Sequence, residues 1–335
     1  MIKIELSIEQ KKEIERIFLA DVCSGAEFGG IKKNQNQKGF DDILNSEECR
    51  KLLHDNYSKL YNYLYAKDGQ LNTKQIKELL LADRSKMIEL IGLFKTDEDK
   101  GGVDPDAKQL LSTVFRYDIF SRRKAAYTIL DKIGVTVCPY CNRAYIATLK
   151  EGKVRAQFDH YFPKAKYPYL ALSLYNLIPS CGICNRTKAD FDTGRFPILY
   201  PYEEEFGEHI VFAVKIDNND FVKCIRGNSD SISIEIRNPE ENALYKQVNN
   251  QDIRLHLTDF YNTHKDYVQD IFKSYYINTD KRVEELMRHF PALFSTKEDV
   301  RSLMFMNYLR KDEWGKRPLA KLTYDIYREI GNFKS

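Results

Sequence analysis

Apolar residues recur three and four apart at Ile76, Leu80, Met87, Leu90, Ile91 and Phe94, which predicts helix after a start at Asn72 or Thr73. A further helix is predicted from about Ala107 to Ile133, with Gly134 placed to end it in the left-handed conformation. Between Val135 and Arg195 the helical period disappears, and cysteines, prolines and aromatics take over. Three strand-like runs follow: His209 to Ile216, Phe221 to Arg226, and Ser231 to Ile236. Asp217-Asn-Asn-Asp and Gly227-Asn-Ser-Asp supply turn residues between them. Helical spacing returns in the last third, where Ser295-Thr-Lys-Glu298 reads as a capping box and a final helix opens at Pro318 and closes at Gly331. The pattern predicts an α+β chain in three parts. Residues 1–132 form a helical region, 133–200 a small module, and 201–335 a strand meander with helices.

At 335 residues, with 43% apolar and 30% charged side chains, the chain can bury a real core and is not a disordered sequence. No apolar run is long enough to span a bilayer, and Met1-Ile-Lys-Ile-Glu-Leu lacks the layout of a secretory signal. A cytoplasmic protein away from membranes is therefore expected. The net charge of +3 is unevenly spread: Ile133 to Arg195 holds nine Lys/Arg against four acids, leaving the rest net negative. A local basic excess suits a polyanion, although a solvated lysine-rich surface would look the same. The stretch from Ser24 to Asp42, rich in Gly, Lys, Asn and Gln, reads as an exposed loop. Lys32 and Lys33 within it could touch nucleic acid, but a plain linker is the favoured reading.

Cys138-Pro-Tyr-Cys141 and Cys181-Gly-Ile-Cys184 are two tight knuckles 39 residues apart. Each C-x-x-C turn presents two thiolates on one side, and two such turns complete the tetrahedron that zinc prefers. Redox chemistry explains one such pair but not two. Four sulfur ligands leave no open position, so this zinc is expected to hold the fold and not to catalyse. Cys23, Cys49 and Cys224 are scattered and read as ordinary thiols.

The residues between and just after the knuckles carry the specific signal: Gln157-Phe-Asp-His-Tyr-Phe-Pro-Lys164, then Asn176-Leu-Ile-Pro-Ser-Cys-Gly-Ile-Cys-Asn185-Arg-Thr-Lys188. This stretch, about a fifth of the chain, resembles the HNH endonucleases, whose ββα-metal core presents an Asp-His or His-His pair, a central Asn and a third His or Asn. Asp159-His160, Asn176 and Asn185 match those elements in order. The resemblance implies hydrolysis of phosphodiester bonds in DNA with one divalent metal. Its chemistry is consistent with the residue types. His160 is the natural general base, since imidazole titrates near neutrality. Asp159 and Asn185 offer the hard oxygens that suit Mg²⁺ or Mn²⁺. Asn176 would brace the loop after His160 without touching the metal. Adjacent residues of a regular strand face opposite ways, so the strand must end or distort at Asp159-His160. Arg143, Arg186 and Lys188 are candidate phosphate contacts, positioning substrate without reading its sequence. Tyr161, Tyr167, Tyr169 and Tyr175 read as packing residues before base-stacking ones.

The helical flanks and the ending Arg317-Pro-Leu-Ala-Lys-Leu-Thr-Tyr-Asp resemble HNH proteins of bacterial anti-phage systems of the Septu type, where the nuclease works beside a partner ATPase. Two alternatives stand beside that expectation. One is a catalytically silent, zinc-stabilised adaptor or nucleic-acid-binding protein, and the other is an HNH nuclease acting on RNA.

Overall fold

The computed structural model describes residues 1–29, 38–98, 111–149, 154–216 and 232–332. Ser7 starts the first helix, α1 (Ile8–Val22), through a reciprocal cap in which its hydroxyl accepts from Gln10 N and the Gln10 side chain accepts from Ser7 N. Short helices α2 (Phe40–Leu44), α3 (Glu47–Asn56) and α4 (Ser58–Leu64) follow. The apolar run predicted from Asn72 forms two helices, α5 (Thr73–Leu80) and α6 (Arg84–Glu98). Asn72 caps the first through Gln75 N, and Asp83 accepts from Lys86 N at the start of the second. The single helix expected up to Ile133 is also interrupted: a helical turn at 111–114 is followed by α7 (Tyr117–Phe120) and α8 (Lys124–Ile133), with Arg123 in extended backbone between the last two. Gly134 ends α8 at φ +71°, as its sequence position predicts. Helix α8 packs along α1, and Phe18 of α1 also meets Phe120 of α7 edge to face.

Two short strands and a helix follow in the module between the knuckles. β1 (Gln157–His160) pairs antiparallel with β2 (Leu177–Ser180), in the register Gln157 with Ser180 and His160 with Leu177. α9 (Gly182–Lys188) leaves β2 directly and packs back on β1. A second antiparallel pair, β3 (Val211–Ile216) with β4 (Ile232–Arg237), lies under the terminal helices. These are the outer segments of the expected meander. In a three-strand meander the first and third strands run parallel, so their direct antiparallel pairing replaces that topology. The predicted middle strand, Phe221 to Arg226, lies outside the described residues, as do Lys32 and Lys33. The Ser24–Asp42 stretch is not wholly exposed: Phe28 and Phe40 are buried, and Asp41 accepts from Ser24 N.

Helices α10 (Tyr245–Leu255), α11 (Leu257–Tyr261), α12 (Lys265–Ile277), α13 (Asp280–His289), α14 (Lys297–Met304) and α15 (Ala320–Asn332) complete the chain. The cap of α14 falls one residue later than expected: Thr296 and Asp299 form the box, because Asp299 reaches the backbone N–H groups of both Ser295 and Thr296. Buried side chains from the first helix to the last join one hydrophobic cluster, so the module between the knuckles is walled in by both flanks. Among the described residues no helix is long and apolar enough to cross a membrane.

Candidate functional site

The two knuckles meet as the spacing predicts. The sulfurs of Cys138, Cys141, Cys181 and Cys184 lie within 4.8 Å of one another, and all four residues are buried. A zinc–sulfur bond of about 2.3 Å implies tetrahedral sulfurs about 3.8 Å apart; Cys141 and Cys181 are at 4.0 Å. Backbone donors already point at the sulfurs: Arg143 N at Cys141, Cys181 N at Cys138 and Cys184 N at Cys181, each at 3.4 Å. The four thiols share their protons: S–H donation, from Cys138 first, pulls Cys181 and Cys141 down, while burial pushes Cys138 up and the bond with Cys138 pushes Cys184 up. The cluster is positioned to bind a metal ion, and its all-sulfur donor set suits zinc.

The first knuckle is closed by Cys138 N donating to the Ala144 carbonyl, with Asn142 in the left-handed region at φ +47°. Asn142 is fully buried and joins this knuckle to the last part of the chain. Its Nδ2 donates to the Trp314 carbonyl, its Oδ1 accepts from Lys321 N, and its carbonyl accepts from Leu319 N. In the second knuckle Cys181 is the N-cap of α9, with its sulfur facing Cys184 N. One cysteine pair therefore anchors the C-terminal segment, and the other starts the helix that carries Asn185.

β1 and α9 present two rungs of side-chain contact. Alternation puts Gln157 and Asp159 on one face of β1, and Asn185 and Lys188, three apart, share a face of α9. Asn185 Nδ2 donates to Gln157 Oε1 at 2.8 Å and its main-chain carbonyl accepts from Ala189 N, which leaves Oδ1 with no partner among the described residues. In the other rung Lys188 Nζ lies 3.3 Å from Asp159 Oδ1, 3.1 Å from Oδ2 and 2.5 Å from the His160 carbonyl. Tyr140, inside the first knuckle, donates its hydroxyl to Asp159 Oδ2 at 2.8 Å. Lys188 is 0% exposed and Asp159 2%. The expectation that Lys188 reaches a substrate phosphate is thus corrected. Its ammonium is turned inward, where the buried carboxylate holds it.

His160 lies on the opposite face. The strand ends at this residue, and its imidazole packs edge-on against Tyr117, 4.3 Å between ring centroids. Nε2 is 3.1 Å from the Ala171 carbonyl. A carbonyl only accepts, so Nε2 carries the hydrogen and the neutral ring keeps its lone pair on Nδ1. Burial pulls the imidazole down to about pKa 3, the Ala171 carbonyl opposes the shift, and Lys164 and Lys188 add to it. Asn176, fully buried, braces the turn that follows: Oδ1 accepts from Phe162 N, and Nδ2 donates to the carbonyls of Phe162 and Leu170. The structure thus brings Asp159, Lys188 and Tyr140 together on one side of β1 and places His160 with Ala171 and Tyr117 on the other.

The remaining candidates separate by exposure. Arg186 is exposed on α9. Arg143 is half-buried with its guanidinium 4.4 Å from the Phe260 ring centroid, and its Nε has no partner among the described residues. Tyr161, Tyr167, Tyr169 and Tyr175 are all buried, in agreement with a packing role. Sequence reasoning assigned no role to Gln157, Tyr140, Tyr117 or Lys164. Lys164 is exposed, and its ammonium lies 5.1 Å from the centre of the Tyr117 ring that covers His160. Only the side-chain directions reveal these four.

Fold and site define an α+β protein built around a buried four-cysteine cluster suited to zinc. Over 73 residues the chain is 34% identical to the Septu protein PtuB of Bacillus thuringiensis, an alignment covering 22% of this chain and 27% of that protein. No family model matches the chain, and no solved structure matches it.

Proposed function

We propose that this chain is a metal-dependent endonuclease of the HNH type that hydrolyses phosphodiester bonds of DNA. Its strand–strand–helix module would be the ββα-metal core, and its setting would be anti-phage defence beside a partner ATPase. The observation that carries the reading is His160: a neutral, buried imidazole whose Nε2–H is fixed on Ala171 while Nδ1 keeps its lone pair. Nδ1 is thereby the nitrogen left to accept a proton, and because burial makes this ring a weak base, the approach of the anionic phosphate would have to raise its basicity. The partial likeness to a Septu protein supports the defence setting.

In this reading His160 Nδ1 takes a proton from the attacking water, and the Ala171 carbonyl steadies the imidazolium that results. Asn176 keeps the turn after His160 in place. Asp159 and Asn185, across the β1–α9 interface, would hold Mg²⁺ or Mn²⁺. Their hard oxygens suit it, and the Lys188 ammonium seated on Asp159 supports a cation-binding carboxylate. When bound, such a cation would stabilise charge on the phosphate and the leaving oxygen. Exposed Arg186 and Lys164 would meet the phosphate backbone.

A second reading has a specific observation in its favour. Both Asp159 oxygens are already engaged by Lys188 and Tyr140, which suits a silent adaptor. Supercoiled plasmid with Mg²⁺ or Mn²⁺, incubated with wild type and with His160→Ala, separates the two. The nuclease reading expects nicking by wild type alone. Equal nicking by both removes His160 as the base, and no nicking by either, with or without a partner ATPase, favours the adaptor. Single-stranded RNA in the same assay tests the RNA alternative.

A further inference from the structure

A buried lysine whose acceptors all come from β1 is an unusual way to end a helix. Lys188 is the last residue of α9, and its ammonium is enclosed by the two Asp159 oxygens and the His160 carbonyl. An oxygen cage around a single positive charge is the environment a hard cation would also choose. We propose that the Lys188 ammonium is a resident cation that occupies Asp159 in the resting chain and must swing out before a divalent cation binds there. This rests on the reading of Asp159 as the metal-binding carboxylate.

Three features support a displaceable lysine over a permanent strut. With the Tyr140 hydroxyl also on Oδ2, the carboxylate is closed off on both sides, so a divalent cation has no approach while the lysine stays. Ala189, the next residue, sits at φ +47° and ψ −126°, a conformation that costs a residue with a side chain. The end of α9 is therefore strained where the lysine leaves the helix. The strain is held by Arg254 of α10, whose Nε and Nη2 donate to the Lys188 carbonyl at 3.2 and 2.9 Å. Finally, Lys188 bonds the carbonyl of His160 as well as the carboxylate of Asp159, so its departure would free that carbonyl together with the carboxylate. Lys188 would then act as an internal competitor, setting how much divalent cation the protein needs before it can act.

The test uses zinc-loaded full-length protein, with Mn²⁺ as the probe and free Mn²⁺ measured by electron paramagnetic resonance in the absence of DNA. Lys188→Gln is expected to bind Mn²⁺ at least tenfold more tightly than wild type, with unchanged zinc content. Unchanged or weaker binding overturns the proposal. Asp159→Asn serves to separate the two readings. If it binds Mn²⁺ as wild type does, the metal reading of Asp159 falls and the Lys188 proposal with it. If it loses Mn²⁺ while Lys188→Gln gains none, only the role of Lys188 falls. Should Lys188→Gln fail to fold, amine labelling of wild type read by mass spectrometry decides. Lys188 should be protected without Mn²⁺ and labelled at saturating Mn²⁺, and protection under both conditions overturns the proposal.

Discussion

The ring of His160 is 8% exposed, and its two nitrogens have unequal roles because one carbonyl, that of Ala171, lies within reach of Nε2. With its pKa drawn down to about 3, mainly by burial, the ring stays neutral throughout the physiological range. The unfolded chain binds that proton near pH 6.5, so this residue makes folding stability fall as the pH drops from there toward 3. Ring resonances of His160 in the free protein should therefore show no titration between pH 8 and pH 5, and a midpoint near 6.5 would mean a solvated imidazole. Lys164 is the exposed cation beside that ring. Lys164→Ala should weaken binding to duplex DNA uniformly across sequences and lower the slope of log K against log salt by about 1. An unchanged slope removes it from the interface. The sequence pointed instead to Lys188 and Arg143, because charge and spacing are visible in a string of letters whereas burial is not. The aromatic ring under Arg143 comes from Phe260, far along the chain.

Some element ends were legible from local signals, although the cap of α14 shifted by one residue and α15 runs through Gly331. Gly134 ends α8 and Asn72 caps α5, since each acts within a few residues of itself. The breaks at 81–83 and 121–123 were not, because Ala82 and Ser121 are buried by tertiary packing that periodicity does not register. The last helix, α15, shows a further hidden device. Lys321 and Asp325, one turn apart and both buried, bond each other, and Asp325 Oδ2 also accepts from Phe212 N on β3. The Lys321 ammonium lies 4.8 Å from the Trp314 ring centroid. Removing one partner strands a buried charge, so Lys321→Met should cost about 3–5 kcal/mol in urea unfolding. Lys321→Met combined with Asp325→Leu should recover most of that loss. A double variant no better than the single would show that the Phe212 contact, and not the charge pair, is what matters.

At the scale of the whole molecule the four cysteines act as a hub. Ile2 N donates to the Pro139 carbonyl, Gln251 Nε2 to that of Tyr140, the Tyr261 hydroxyl to that of Cys141, and Leu319 N to that of Asn142. The start of the chain, α10, α11 and the segment before α15 thus all rest on one knuckle. Cys184→Ser, or chelation of the metal, should lower the melting temperature and perturb Trp314. This is the single tryptophan, it is buried, and its carbonyl is bonded by Asn142, so its fluorescence reports on the hub. If chelation leaves that fluorescence and the melting temperature unchanged, the cluster does not organise the C-terminal part. Activity should fall with stability in Cys184→Ser, whereas His160→Ala should lose activity, by about 10²–10⁴-fold, and keep its fold. Full activity in Cys184→Ser would uncouple the cluster from Asn185.

The order of residues alone was enough to pair the knuckles and to predict an α+β chain, because ligand spacing and turn chemistry act over short stretches. Strand alternation required the strand to end or distort for Asp159 and His160 to share one site; β1 stays regular through His160 and keeps the two side chains on opposite faces. Only the tertiary structure decided what each then meets: Tyr140 and Lys188 for the carboxylate, Ala171 and Tyr117 for the imidazole. Those partners arrive from other elements, and their effect depends on exclusion of water, which no local pattern encodes.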